Sequence, residues 1–140
     1  MRIINLGEKN SVLNNFIAEI RDHVVQKDSL RFRRNLERIG EIFAYEISKE
    51  LVYSAKSIQT PLGIASCNTL DDSVVLASIM RAGLPLHNGM LSLLDKSQNS
   101  FIAAYRKYGK DNKFTIQIEY ASTPSVEDKV LILADTMLAT

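Results

Sequence analysis

The stretch Val74-Val75-Leu76-Ala77-Ser78-Ile79-Met80-Arg81-Ala82-Gly83-Leu84-Pro85 decides the fold. Val74 to Met80 is a short, nearly continuous apolar run, the pattern of a strand covered on both faces; a half-solvated strand would alternate. The run stops at an arginine and a glycine. Pro85 to Leu94 then fits a helix with proline near its first turn and Leu86, Met90, Leu91 and Leu94 turned to the sheet.

Downstream, Phe101 to Tyr105 is a second apolar run. Thr115 to Tyr120 alternates, with Ile116 and Ile118 on one face and Gln117 and Glu119 on the other, as an exposed hairpin strand does. Val130 to Ala134 returns to the fully buried pattern and leads straight into Asp135. Strand, helix, strand, hairpin, strand predicts an α/β protein with a mixed or mostly parallel sheet flanked by helices. Upstream the period is helical. Asn10-Ser11 offers an N-cap for Val12, Leu13, Phe16, Ile17, Ile20 and Val24, which share one face. Ser29 can cap a second helix with Leu36, Ile39, Phe43, Ile47 and Leu51 on its apolar side and Arg31, Arg33, Arg34, Arg38, Glu41 and Glu46 on the other. The texture changes at Thr60-Pro61-Leu62-Gly63. The expected layout is a single domain, with N-terminal helices over 1–55 and an α/β core over 64–140 that carries a β-hairpin at about 106–122.

The 140 residues, with 17 Lys+Arg against 16 Asp+Glu, 46% hydrophobic and 24% charged, fit one soluble domain able to bury a core. A net charge of +1 removes the broad electrostatic case for nucleic acid or acidic membranes. No apolar run approaches a membrane span, and the N-terminus has too short an apolar stretch for a secretory signal. The single cysteine, Cys67, cannot form an internal disulfide and reads as a small core residue in Ile64-Ala65-Ser66-Cys67. No Cys/His cluster suggests zinc. A reducing cytoplasm is the expected setting.

In parallel sheets, function sits at the carboxyl ends of the strands. After the first strand stands Arg81, whose guanidinium offers five fixed donors suited to phosphate oxygens. Gly83 would let the backbone approach a ligand, and the following helix offers N–H groups to an anion. The plain alternative is a tight turn with its arginine in water. After the second strand, Arg106 is followed by Lys107, Lys110 and Lys113: a basic loop able to close over a polyanion, or a hairpin tip kept soluble by lysines. After the last strand, Asp135 can accept hydrogen bonds from sugar hydroxyls, and the threonines and amides beyond it can cradle a phosphate; the alternative is turn chemistry. His23 and His87 have no partner at motif spacing and read as exposed or half-buried.

Three ordered stretches carry a resemblance. Ser29-Leu30-Arg31-Phe32-Arg33 through Tyr45-Glu46 is similar to an N-terminal helix pattern. Ser78-Ile79-Met80-Arg81-Ala82-Gly83-Leu84 looks like the motif "ILRAGL", followed by Asn88-Gly89 where Asp-Gly is common. Leu131 to Thr140 resembles the opening of a phosphoribosyl pyrophosphate loop, usually "DPMLATGGS", and Tyr105-Arg106 lies between at the right place. The chain thus resembles the uracil phosphoribosyltransferase family of the type I phosphoribosyltransferase fold from about residue 20 onward. Ala134-Asp135 offers one acidic residue where the hypoxanthine and orotate members have two, and Met137-Leu138-Ala139-Thr140 matches the uracil branch. Thr136 stands in place of the common proline, and Pro85 in place of a common glycine.

The resemblance implies conversion of uracil and phosphoribosyl pyrophosphate to uridine monophosphate and pyrophosphate. Magnesium would be carried by the pyrophosphate substrate, GTP could act as an activator, and a homo-oligomer is expected, with neither membrane nor nucleic acid as partner. It implies that Arg81, Ala82, Gly83 and Arg106 contact pyrophosphate or phosphate groups. Asp135 would be the catalytic carboxylate on the ribose hydroxyls, and Thr136, Met137, Leu138, Ala139 and Thr140 would begin the 5′-phosphate cradle. No protein metal ligand is expected. The hairpin from Arg106 to Tyr120 would act as a lid or an intersubunit arm. The basic run Lys27 to Arg38 keeps an RNA-binding regulator of pyrimidine genes in view, and the length keeps an inactive structural fragment in view. The family pattern continues beyond Thr140 into the rest of the cradle and the uracil-binding segment. The expectation is therefore an incomplete domain, inactive and poorly soluble alone, with no residue assignable to the base.

Overall fold

The structure, a computed structural model, describes residues 1–108 and 114–136. Helix α1 (Val12–Arg21) is capped by Ser11, whose hydroxyl accepts the Leu13 N–H. Helix α2 (Ser29–Ser48) is capped by Asp28 and not by Ser29: the Asp28 carboxylate accepts the N–H groups of Leu30 and Arg31 together. An anion there satisfies two donors and complements the positive end of the helix, which a hydroxyl one residue later cannot do. Val24 falls past the end of α1 and is exposed. Asp22 takes the Val24 and Val25 N–H groups at 2.7 and 2.9 Å and turns the chain before the apolar stripe can continue.

Polar chemistry fastens α1 to α2. Arg31 donates to Glu19 at 2.9 and 2.5 Å, the buried Asn35 donates to the same carboxylate at 2.6 Å, and Asn35 accepts from Arg38 at 3.0 Å. The Arg31 and Asn35 bonds hold the Glu19 carboxyl below its ordinary range. Arg38 also lies over the Phe16 ring, and Arg34 pairs with Glu37. The basic face thus spends three of its arginines on its own neighbours.

Between residues 53 and 70, where no strand is expected from the sequence, strands β1 (Tyr53–Thr60) and β2 (Gly63–Leu70) form an antiparallel hairpin in a sheet of their own. It spans the position at which the sequence divides helices from core. Its alternation is written in Ser, Ala, Thr and Lys, so the period carries little hydrophobic contrast. Cys67 on β2 is exposed, which corrects its reading as a core residue: a lone hairpin has no second layer to bury it.

The main sheet contains β3 (Val74–Met80), β4 (Gln98–Tyr108), β5 (Phe114–Ser122) and β6 (Val130–Ala134) in the order β5-β4-β3-β6. β4 and β6 both run parallel to β3, and β5 returns antiparallel along β4 with a register shift at Ala103/Ala104. Helix α3 (Leu84–Leu93) crosses from β3 to β4. Leu76, Ile132 and Ala134 on one sheet face meet Leu86 and Met90 of α3 and Ile39 and Ala44 of α2 in the core. The two helices touch through glycines: a Cβ at Gly40 would strike the Leu86 carbonyl, and one at Gly89 the Glu37 backbone.

On the opposite face Val75 and Ala77 are buried as well. The segment from β5 to β6 crosses this face, anchored by Thr123 Oγ1 to Ser100 Oγ at 2.7 Å and by Lys129 Nζ to Gln98 Oε1 at 2.7 Å. Gln98 and Ser100 stand beside Val75 and Ala77 in the ladder. That cover stops short of β6, where Leu131 and Leu133 are 53% and 56% exposed while Ile132 and Ala134 are buried, so this apolar run lacks a covering layer on one face. β5 is exposed along its whole length. Among the described residues, no helix is long and apolar enough to cross a membrane.

Candidate active site

The parallel register places the tips of β3 and β6 side by side. Ser78 lies opposite Ala134, so Arg81 and Asp135 both emerge just past the carboxyl ends of adjacent strands. The link is Gly83, which is buried. A Cβ there would stand 2.5 Å from Ser78 Oγ, 2.8 Å from the Ile79 carbonyl and 2.9 Å from the Ala134 carbonyl. Its missing side chain lets the 81–83 turn settle onto the protein's own strand tips. Ser78 Oγ, directly beneath, is buried without a hydrogen-bond partner.

Two amides at this corner are bonded within it. Gly83 N–H donates to the Ile79 carbonyl at 3.1 Å, Leu84 N–H to the Arg81 carbonyl at 3.2 Å, and Pro85 has none to offer. Arg81 is exposed and makes no hydrogen bond or ion pair among the described residues; the Met80–Arg81 peptide is cis. Ala82 beside it is exposed. Asp135 is exposed, and its Oδ1 accepts the Thr136 N–H at 2.8 Å. A proline at 136 would lack that donor, so the threonine supplies an amide that orients the carboxylate.

Arg106 lies on β4 three residues beyond Ala103, which is level with Met80, and pairs across the arm with Ile116. It is half-buried, its guanidinium 4.8 Å from the centre of the Phe114 ring. The structure therefore brings Arg81, Ala82, Gly83, Asp135 and Thr136 to one sheet edge and sets Arg106 on the arm beyond it. Met137, Leu138, Ala139, Thr140, Lys110 and Lys113 lie outside the described residues.

His87, on the first turn of α3, is 1% exposed, where the sequence suggested an exposed or half-buried side chain. Its Nε2 lies 2.8 Å from Asn99 Oδ1, and its ring is tilted 48° against Phe101 with centroids 5.1 Å apart. Burial pushes its pKa below the ordinary value, against the opposing effect of the Asn99 bond. The available signal was spacing: Met90, Leu91 and Leu94 follow at three, four and seven residues, which puts His87 on the apolar stripe. His23 is exposed.

A cleft of about 720 Å³ opens at the opposite, amino ends of the strands between β1–β2 and the turn after α3. Lys56, Asp72, Asp95, Lys96 and Lys129 line it, and this mixed charge, far from the strand tips, does not compete with them as a catalytic corner.

Comparison with known proteins follows the same lines. The family model described as uracil phosphoribosyltransferase matches residues 8–140. A uracil phosphoribosyltransferase from Porphyromonas gingivalis is 52% identical over 140 residues, covering all of this chain and 65% of that protein. One from Methanothermobacter thermautotrophicus is 36% identical over 115 residues, covering 81% of this chain and 53% of its own length. A solved structure from Aquifex aeolicus overlays with a TM-score of 0.80 at 24% identity, over 94% of this chain and 62% of that one, a likeness of fold alone. The chain thus spans less than two thirds of the length of each of these relatives.

Proposed function

Since this chain belongs to the uracil phosphoribosyltransferase family, we propose that the whole protein transfers the phosphoribosyl group of phosphoribosyl pyrophosphate to uracil. In that reaction the bond from C1 of ribose to a pyrophosphate oxygen breaks as a bond from C1 to a uracil nitrogen forms, and the nitrogen's proton is released. Positive charge grows on the sugar and negative charge on the leaving group, so catalysis rests on positioning and fixed charge. Arg81 faces the pyrophosphate, Asp135 accepts from the ribose hydroxyls and steadies the positive sugar, and Arg106 meets phosphate when the β4–β5 arm folds toward the sheet edge. Thr136 to Thr140 open the 5′-phosphate cradle.

Among the described residues no three His, Cys, Asp or Glu side chains gather into a metal cage, and the strand-end loops contribute one carboxylate, Asp135. Magnesium would reach the site on the substrate's phosphates, where it neutralises the leaving group. The same reading includes GTP as an activator, a homo-oligomer in which the exposed arm reaches a neighbouring subunit, and a cytoplasmic setting.

The observation that carries the proposal is the seating of Gly83 on the Ile79 and Ala134 carbonyls, which fixes an unpaired arginine and an oriented aspartate at adjacent strand tips. The test is an assay of the protein at its natural length with phosphoribosyl pyrophosphate, magnesium and either uracil, hypoxanthine or orotate. Uridine monophosphate should form from uracil alone, and Arg81→Ala should lower kcat/KM by about a hundredfold. Product from hypoxanthine or orotate, or none from uracil, overturns the reading.

A further inference from the structure

His87 is expensive where it stands. Burial of a neutral imidazole leaves one nitrogen to be satisfied beyond the Asn99 bond, and Nδ1 is buried with no partner. Because Asn99 Oδ1 is an acceptor, Nε2 carries the proton and Nδ1 the bare lone pair. A leucine or methionine would fill the same space on the apolar stripe of α3 without stranding a polar atom. What histidine adds is direction, and direction is needed at the end of α3 that carries Arg81.

His87 N–H donates to the Gly83 carbonyl at 2.9 Å and so closes the first helical turn onto the glycine seated on β3 and β6. Its ring reaches across that turn to β4, packing on Phe101 and bonding Asn99. In the ladder Phe101 is opposite Ser78, and Asn99 is opposite Leu76. The turn holding Arg81 is thereby tied to all three parallel strands: to β3 and β6 through Gly83 and to β4 through His87. The glycine contact with α2 at Gly89 restrains the far side of the same helix. Asn99 is exposed, so this tie lies at the rim of the sheet, where water can replace the bond without restoring the tether.

We propose that His87, acting through Asn99, is a positioning residue that holds the first turn of α3 and hence Arg81 in register for the pyrophosphate group. This deepens the proposed phosphoribosyl transfer and rests on it for the identity of the substrate, but not for the tether itself. The exposed partner makes the separation from stability clean. Asn99→Ala removes the tie at a solvated site, and His87→Gln places an amide N–H near the position of Nε2, whereas His87→Leu fills the space without a donor.

The experiment measures inorganic pyrophosphate binding by calorimetry, together with KM for phosphoribosyl pyrophosphate and kcat, on the protein at its natural length. Asn99→Ala and His87→Leu should each weaken pyrophosphate binding and raise KM by about tenfold, with kcat changed less than about twofold. His87→Gln should recover most of the lost affinity. The double variant His87→Leu/Asn99→Ala should be no weaker than either single one, since both remove the same tie. Wild-type binding by Asn99→Ala, equal losses in His87→Gln and His87→Leu, additive losses in the double variant, or wild-type protein that does not bind pyrophosphate each overturn the proposal. Should wild-type protein bind pyrophosphate yet make no uridine monophosphate, the reading of function fails, and the pyrophosphate titrations still decide the tether.

Discussion

Val74 to Met80 and Val130 to Ala134 are both unbroken apolar runs, they lie side by side in parallel, and Arg81 and Asp135 stand at their tips. β3 has a strand on each side, helices over one face and the β5–β6 segment over the other, and it buries Val75 and Ala77 along with Leu76. Among the described residues β6 has β3 on one side only, and it keeps Ile132 and Ala134 inside while Leu131 and Leu133 face out. An apolar run therefore states what a strand tolerates. Its place in the sheet decides what it receives, and that place is set by residues far away in sequence.

The comparison breaks first at the core. Leu76→Ala should cost about 2–5 kcal/mol, because the methyls it deletes are enclosed by α2, α3 and the neighbouring strands. Leu133→Ala should cost about 0.5 kcal/mol or less, since its side chain is already in water. Urea unfolding midpoints measure both; similar costs would show that β6 is covered as β3 is.

A smaller effect tests the joint between the two strands. Gly83→Ala pushes a methyl against Ser78 Oγ and the Ile79 and Ala134 carbonyls, two of them backbone atoms that cannot turn aside. The expected cost is about 1–3 kcal/mol, accompanied by weaker pyrophosphate binding as the 81–83 turn lifts from the strand tips. Ala82→Gly, one residue away and exposed, should lose no more than about 1 kcal/mol, through backbone entropy. Equal melting temperatures for wild type and Gly83→Ala would separate the tips of β3 and β6 and leave Arg81 and Asp135 without a common seat.

The same contrast explains what could be read from the sequence. Val74–Met80 and the helix after it are legible to within a residue because every local preference agrees: continuous apolar residues, a glycine turn, proline in the first helical turn. The adjacency of Arg81 and Asp135 follows from strand order, which motif order supports but spacing alone does not contain. β1 and β2 escape notice because Ser, Ala and Thr make their alternation chemically faint, and Cys67 is misjudged for the same reason. His87 is misjudged by its residue type. A histidine is ordinarily kept near water, and only its spacing to Met90, Leu91 and Leu94 shows that the helix carries it inward.

His87 lies on the covered side of β3 and β4, so it should give that side a pH signature. Its folded pKa lies below the ordinary 6.5, chiefly through burial. Above about pH 6.5 both folded and unfolded forms are neutral and the full stability is present. As pH falls below 6.5 toward the folded value, the unfolded chain takes up the proton first, and stability falls by at most about 1.4 kcal/mol per pH unit. Urea midpoints between pH 7.5 and 5.5 should fall for wild type relative to His87→Leu, because the variant lacks this loss. Parallel curves would mean that the imidazole is hydrated, and the covered side less tightly closed than its 1% exposure indicates.

The sharpest test of the difference between the strands uses two residues on one face. Val75 and Leu131 are partners in the β3–β6 ladder, so their side chains stand side by side. Leu131→Lys keeps the stem against the sheet and leaves the ammonium in water, and should change stability by about 0.5 kcal/mol or less. Val75→Lys asks the same ammonium to sit beneath the segment anchored at Ser100 and Gln98, with no carboxylate there to meet it among the described residues. The expected result is a chain that no longer folds. The pair differs in one strand spacing and in nothing about residue class. A cost above about 2 kcal/mol for Leu131→Lys would place a covering layer over β6 in solution. The exposed leucines would then belong to a buried surface, and the asymmetry between the two strands would vanish.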